Sequence, residues 1–330
     1  MVNILVTGAT GFVGGNMARF LADRSENNVI GIRHDNSPID TPRLLGIDGK
    51  VTWAYGDILN PNFVKRVVND YEIEEIYHFA ALPIVRIAGR SPIPVFETNI
   101  AGTWNVLEAA RDRGIEEIRV VHCSTDKAYG NTVGKRPYME SDGVGVSEIY
   151  GTSKAAADLI VQSYASNYGM NVAVARPCNM FGPADLNPRI IPNTIRLCLQ
   201  EKDPVIFKGI GYVREYIYVE DVVKGLHRIM AALGEGRARG EAFNIGTGEI
   251  FDQLQILNRI LRYFPGRTPI SKDPSEYMRK EIEYQKLDSS KIHKWFGWQP
   301  EHDIEFGLEA TIKWWRERPD LYRKPVTFTR

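Results

Sequence analysis

The sequence predicts a doubly wound α/β fold, a parallel sheet covered by helices on both faces, with a smaller C-terminal α/β part. Three observations lead there. Short β-rich runs alternate with longer amphipathic stretches through the first half, and the runs are apolar on both faces. Buried parallel strands have that character, and joining them requires crossover segments such as helices. The first run passes directly into a glycine-rich turn that opens a helix. After Arg176 the texture changes, as Pro177, Pro183, Pro188, Pro192 and Pro204 punctuate the chain and irregular segments are expected to dominate.

Taken in order, strands are expected at 3–6, 29–32, 51–54, 75–79, 118–123 and 171–176. Between the first two, Val13, Met17, Phe20 and Leu21 recur at helical spacing over 13–21. A second helix is expected over 98–113, with Ile100, Trp104, Leu107 and Ala110 on related faces, and a third over 153–168. Beyond Arg176, 215–219 and 242–245 read as strands, and 304–315 as a helix whose Trp314 and Trp315 serve packing.

Composition sets outer bounds. The 330 residues carry 41 basic and 41 acidic side chains, with 43% hydrophobic and 25% charged residues, which excludes collagen-like, disordered and disulfide-scaffold classes. Zero net charge argues against binding nucleic acid or anionic membranes through bulk charge, so an anionic ligand has to be met locally. Cys123, Cys178 and Cys198 are odd in number and widely spaced, which suits a reducing compartment and neither a disulfide framework nor a metal site. Neither a signal peptide nor a spanning segment is evident, so a cytoplasmic protein is expected.

The turn Thr7-Gly8-Ala9-Thr10-Gly11-Phe12-Val13-Gly14 lies between the first strand and the first helix. Glycines at this spacing allow a tight turn, close approach of backbone N–H groups to a pyrophosphate, and tight helix-to-strand packing. The helix N-terminus adds positive partial charge, so a dinucleotide is the expected cofactor, bound by Gly8, Thr10, Gly11, Phe12, Val13 and Gly14. The second strand ends in Arg33, where a guanidinium suits a 2′-phosphate. NADP is therefore expected, with NAD and Asp35 as ribose ligand the alternative. Asp57, followed by Ile58, is placed to reach the adenine edge, or else to serve as a turn carboxylate. The small Ala80 and Ala81 after the fourth strand would let the dinucleotide lie against backbone.

Tyr150 and Lys154 stand four apart on one helical face, where an ammonium can lower a phenol pKa and make Tyr150 a general base for an alcohol proton. Ser124 and Thr125 end the fifth strand, where their hydroxyls would meet the same substrate oxygen.

With these motifs in place, the chain resembles the extended short-chain dehydrogenase/reductase superfamily, in its nucleotide-sugar epimerase/dehydratase branch. The resemblance spans nearly the whole length: the glycine loop, Asp57, His78-Phe79-Ala80-Ala81, Asn99, Ser124-Thr125, Tyr150 with Lys154, 176–183, 214–219, 287–291 and 297–300. It implies a Rossmann-like domain over 1–176, with 215–247 returning to it. It also implies a substrate-binding subdomain from 177–214 and 248–330. Asn99 is then a cofactor-binding residue, Asn179 positions substrate, and Arg214 and Arg279 bind the diphosphate of a nucleotide sugar. Arg189 joins the substrate-binding set, and 187–196 and 208–212 are where base and sugar are chosen. Asp126-Lys127 looks like the pattern of CDP-glucose 4,6-dehydratases, which implies a 4,6-dehydratase with Asp126 as acid and Lys127 as base. Lys127 also has the alternatives of pairing with Asp126 or steadying an enolate. A 4-epimerase and a non-catalytic dinucleotide sensor are the competing functions. The resemblance further implies a homodimer built on 98–113 and 153–168.

Overall fold

The computed structural model describes residues 1–34, 40–83, 91–115, 117–131, 134–146, 148–209, 211–273 and 282–323. Strands are numbered in chain order: β1 Val2–Thr7, β2 Asn27–Arg33, β3 Thr52–Tyr55, β4 Glu75–His78, β5 Arg119–Cys123, β6 Val172–Pro177, β7 Asn179–Phe181, β8 Val205–Phe207, β9 Val213–Tyr218, β10 Ala242–Ile245, β11 Ile250–Asp252 and β12 Ile270–Lys272. Seven of them form one sheet in the order β3-β2-β1-β4-β5-β6-β10. Every pairing in it is parallel.

The helices Phe12–Ala22 and Val219–Gly234 pack on one face of this sheet. The other face carries Pro61–Asp70, Gly102–Arg113 and Ile149–Tyr168. A second, smaller sheet orders β11-β9-β7, and β8 pairs with β12. Phe181, Tyr216, Tyr218, Ile256, Leu308 and Trp315 belong to the apolar core around that smaller sheet. No helix among the described residues is long and apolar enough to cross a membrane.

Two expectations about local structure are corrected. The segment after Arg176 is not mainly irregular: helices run over Ile190–Leu199, Val219–Gly234, Gln253–Leu261 and Ser290–Phe296. Pro192 falls within the first turn of its helix, where a missing N–H costs no hydrogen bond. Val219, Val222, Val223, Leu226, Ile229, Met230 and Leu233 form a buried stripe at helical spacing, with Glu220 and Asp221 in the favourable first turn. The expected helix over 98–113 also divides. Glu97–Ala101 is a π-helical turn between the short helix Pro92–Phe96 and Gly102–Arg113. Gly102 lies hard against Ile58, whose Cδ1 would be 2.3 Å from a side-chain carbon at that position.

The helix Ile149–Tyr168 begins at Glu148, whose Oε2 accepts the Gly151 N–H at 2.9 Å, and stops at Gly169 in the left-handed region, φ 69°. Asp158 in its middle is wholly buried and grips Arg176 of β6 in two bonds, Nε to Oδ2 at 2.8 Å and Nη2 to Oδ1 at 3.0 Å. The same guanidinium donates to the Tyr129 hydroxyl at 2.9 Å, which donates onward to Asn244 Oδ1 in β10 at 2.7 Å. Tyr129 stacks on Tyr138 with 4.9 Å between centroids, and Asn244 Nδ2 donates to the Tyr138 and Asp288 carbonyls. One helix, two strands and two connecting segments therefore share a single buried ion.

Removing one member of such a pair strands the other charge in the core. Asp158→Ala is expected to lower unfolding free energy in a denaturant titration by about 3–5 kcal/mol, whereas a loss below about 1 kcal/mol would mean that Arg176 finds other compensation.

Candidate active site

The strand order reverses between β1 and β4, and the crevice beyond their C-terminal ends is where ligands bind in sheets of this kind. Gly8 leaves β1 with φ 68°, and a side-chain carbon there would lie 2.7 Å from the Ala80 nitrogen beyond β4. At Gly14 such a carbon would come within 2.3 Å of the Gly8 oxygen, so only glycine lets the helix start close on the turn. Gly11 donates its N–H to Gly8 O at 2.9 Å. Thr10 and Phe12 are buried beside the turn, and Val13 is half-buried in the first turn of the helix. This cradle fits a dinucleotide pyrophosphate.

The polar residues near the crevice have definite partners. Arg33 Nη2 reaches Asp40 at 3.1 Å and Asp48 at 2.5 Å, and its guanidinium lies 3.8 Å over the Trp53 ring. Asp35 lies outside the described residues. Asp57 Oδ1 accepts the Leu59 N–H at 2.9 Å, the turn role, and its Oδ2 lies 3.2 Å from His34 Nε2. Ile58 is buried, and its carbonyl accepts from Asn105 at 2.9 Å. Ala80 and Ala81 are half-buried, and Ala80 N–H donates to the Thr7 hydroxyl at 3.2 Å. Asn99, fully buried in the π-helical turn, accepts from Leu82 N–H at 2.8 Å and donates to Ser153 Oγ at 2.8 Å. Ser153 in turn donates to the Tyr150 carbonyl at 2.7 Å, so Asn99 joins the loop after β4 to the start of the catalytic helix.

The Tyr150–Lys154 pair differs from expectation in its electrostatics. Burial pushes the Tyr150 phenol above its ordinary value, with Arg189 the main opposing charge. Lys154, 2% exposed, is pulled down to about 8 by burial, and its ammonium bonds His122 Nε2 at 3.1 Å. No Lys154–Tyr150 hydrogen bond occurs among the described residues. His122 packs 5.1 Å from His78, centroid to centroid. His78 Nδ1 lies 2.6 Å from the Thr7 hydroxyl and Nε2 3.0 Å from that of Thr103, which donates to Asn99 O. These bonds close if the ring is neutral, accepting at Nδ1 and donating at Nε2. Burial holds His78 at about 3 and His122 well below its ordinary value. His78 stands in the motif His78-Phe79-Ala80-Ala81, but nothing in the sequence marked its packing against His122, since a lone histidine on an apolar strand reads as core.

Beyond β5, Ser124 is 3% exposed with an unpartnered hydroxyl, and Thr125 Oγ1 donates to Asp126 Oδ1 at 3.1 Å while accepting the Lys127 N–H at 3.3 Å. Asp126 is 3% exposed, and its Oδ2 lacks a hydrogen-bond partner. Burial raises its carboxyl above the ordinary range, against Lys127, the Thr125 hydroxyl and Arg214. Lys127 Nζ lies 3.8 Å from Glu148 Oε1, a carboxylate that carries no motif signal.

Arg189 is half-buried before the helix Ile190–Leu199, where its charge bears on Tyr150 and on the buried Asp185. Asn179 donates to Glu215 O at 3.1 Å. Arg214 Nη1 donates to Val213 O at 3.0 Å, and its charge bears on Asp126. Glu215 itself is wholly buried, accepts from Gly248 N–H and Leu287 N–H at 2.6 and 2.7 Å, and is pushed up to about 7 by burial. Arg279 lies outside the described residues. Among those residues no group of three or more His, Cys, Asp or Glu is placed to hold a metal, and all three cysteines are buried and unpaired.

The model of the NAD-dependent epimerase/dehydratase family matches residues 4–246. The low-salt glycan biosynthesis protein Agl12 of Haloferax volcanii is 31% identical over 95% of this chain and 98% of its own length. The dTDP-glucose 4,6-dehydratase of Haemophilus influenzae is 28% identical over 96% and 98%. Among solved structures, the dTDP-glucose 4,6-dehydratase DesIV of Streptomyces venezuelae, with NAD bound, superposes with TM-score 0.86 at 26% identity, covering 99% of this chain and all of that one (100%). The UDP-glucose 4-epimerase of Thermotoga maritima, with UDP-glucose, gives TM-score 0.85 at 26% identity, covering 96% and 100%.

The neutral histidines carry a pH signature. The folded-state value of His78 is depressed from 6.5 to about 3, so the unfolded chain binds the extra proton first as pH falls. Stability is expected to drop from about pH 6.5 downward, at up to about 1.4 kcal/mol per pH unit for this residue. Urea unfolding at successive pH values should show a shallower decline in His78→Asn; an unchanged slope would place the acid sensitivity elsewhere.

Proposed function

The chain belongs to the NAD-dependent epimerase/dehydratase family, and from that premise we propose that it is a nucleotide-sugar 4,6-dehydratase, forming a 4-keto-6-deoxy sugar nucleotide. The observation that carries this reading is Asp126, a buried carboxyl that hydrogen-bonds the Thr125 hydroxyl at 3.1 Å and that burial pushes toward its protonated form against the opposing pull of Lys127 and Thr125. Inversion at C4 needs a base for the C4 hydroxyl and a sugar that can turn over. Eliminating water across C5 and C6 needs an acid as well, to protonate the departing C6 hydroxyl.

In this mechanism Tyr150 takes the C4 hydroxyl proton while Ser124 and Thr125 orient that oxygen. Offsetting the phenolate charge requires Lys154 to leave His122 Nε2, which its ammonium bonds at 3.1 Å. The bound dinucleotide supplies the acceptor that takes hydride from C4 and returns it to C6. The 4-ketone acidifies the C5 proton, Lys127 removes it, and Asp126 donates a proton as the C6–O bond breaks and water leaves. Asn179 positions the sugar, and Arg189, Arg214 and Arg279 serve the diphosphate, as guanidinium forks do. Gly8, Thr10, Gly11, Phe12, Val13, Gly14, Asp57, Ile58, Ala80, Ala81 and Asn99 hold or frame the cofactor.

We propose NAD in place of the NADP expected from Arg33. The Arg33 charge is answered by Asp40 and Asp48, and a 2′-phosphate would have to displace those carboxylates. Residues 1–176 with 215–247 are assigned to the cofactor domain, and 177–214 with 248–330 to the substrate. A homodimer through the helices Gly102–Arg113 and Ile149–Tyr168 is supported by Trp104 and Leu159, 43% and 56% exposed on their outer faces.

Incubated with a panel of nucleotide hexoses, the protein is expected to yield a 4-keto-6-deoxy product. Simple inversion at C4 with oxygen kept at C6 would favour the epimerase, and full cellular function in Tyr150→Phe would favour the sensor. Tyr150→Phe is expected to lower kcat by about 10²–10⁴-fold. In a binding comparison NAD should bind more tightly than NADP, and the reverse order would restore the 2′-phosphate role of Arg33.

A further inference from the structure

A lysine is a poor base near neutral pH because its amine, ordinarily near pKa 10.4, is almost wholly protonated. Beside Lys127 the structure sets a carboxylate: Glu148 Oε1, 3.8 Å from Nζ, with the two side chains only 12% and 17% exposed. The other Glu148 oxygen is fixed by the Gly151 N–H at 2.9 Å, so the carboxylate is anchored to the first turn of the helix that carries Tyr150 and Lys154.

We propose that Glu148 is a positioning residue for the elimination, the proton store that lets Lys127 serve as the C5 base. The inference deepens the dehydratase reading and rests on it. Within the pair, an ammonium and a carboxylate can become an amine and a carboxylic acid by moving one proton from Nζ to Oε1. Net charge stays at zero, no proton is exchanged with bulk water, and partial burial favours the neutral form of the pair over the ionic one. The free amine then takes the C5 proton as the C5–H bond breaks, leaving an enolate. The proton formerly on Nζ rests on Glu148, and Asp126 separately protonates the departing C6 hydroxyl. Return of hydride to C6 and of the Nζ proton to C5 completes the product, after which the Glu148 proton reverts to Nζ. Tyr150 releases to solvent the proton it took from the C4 hydroxyl and Asp126 regains one, so the C6 oxygen leaves as water with no net change in protons.

The surroundings of the pair are specified. Asp126 neighbours Lys127 on its own turn, and Tyr150 follows Glu148 on the helix. At Asp126 the leading charge opposing burial is Lys127, with Arg214 behind it; at Tyr150 it is Arg189, while Glu148 and Asp126 act the other way. The sequence offered no route to Glu148, because its contact with Lys127 exists only once the turn after β5 and the start of the helix Ile149–Tyr168 are packed together.

Glu148→Gln separates this role from capping, since the amide oxygen can still accept from Gly151. The probe is whichever of dTDP-, UDP- or CDP-glucose the unmodified protein dehydrates. Two steps are read independently: appearance of reduced nicotinamide in a single turnover reports oxidation at C4, and solvent deuterium entering C5 by NMR reports the base. Glu148→Gln is expected to slow C5 exchange by about 10²-fold at pH 7, leave C4 oxidation and KM within about threefold, and regain exchange as pH approaches the lysine's own range near 10.4. Glu148→Asp, which keeps a carboxylate, should restore part of the exchange. C5 exchange within about threefold of the unmodified protein in Glu148→Gln would overturn the role of Glu148 and leave the dehydratase standing. Equal loss of both steps, with no recovery at high pH, would reduce Glu148 to a helix cap. If the unmodified protein dehydrates none of the three sugars, the dehydratase reading fails and this inference with it.

Discussion

A buried guanidinium has to be answered, and the answer given to Arg176 fixes the catalytic geometry. Its counter-ion, Asp158, sits about two turns beyond Tyr150 on the same helix. Its other partner, Tyr129, closes the short turn that begins at Asp126. The helix with the phenol and the turn with the acid are thus both referred to one strand. An uncompensated charge in either place costs several kcal/mol, so neither can drift without strong penalty. The stacked Tyr138 and the amide of Asn244 extend the same arrangement to the β10 edge of the sheet.

Around this frame the site holds its ionisable groups close to neutrality. Lys154 is pulled toward its free amine, Asp126 and Glu215 toward their acids, and both histidines remain uncharged. Burial is the leading cause in every case. The expected activation of Tyr150 by a neighbouring ammonium gives way to a phenol raised by burial, with Lys154 turned to His122.

What could be read from the sequence follows the range of the forces involved. The glycine turn was legible because its spacing encodes a local backbone path, and the structure shows Gly8 and Gly14 where any side chain would collide. The parallel sheet was legible from apolar runs, and Tyr150 with Lys154 from helical period. The partners of Arg33 were not legible, because Asp40 and Asp48 approach it only after the chain folds back. The contacts of His78 and His122 gave no signal, since Thr103 and Lys154 reach them from other elements. The helix Ile190–Leu199 was obscured by Pro192, which occupies a tolerant first-turn position.

The seventh strand of the main sheet has a temporal consequence. After β6 the chain leaves to build β7, β8 and β9 before β10 returns beside it. The Tyr129 hydroxyl meets Asn244 across 115 residues of sequence, and Tyr138 meets it across 106. On a ribosome that delivers the chain from its N-terminus, the first six strands can assemble while the turn bearing Asp126 and Lys127 still lacks its last ligand. Closing so long a loop is slow and entropically costly. The crevice between β1 and β4 can therefore form well before the turn bearing Asp126 and Lys127 is locked, so the nascent protein passes through a stage in which the glycine cradle is built and that turn is still open.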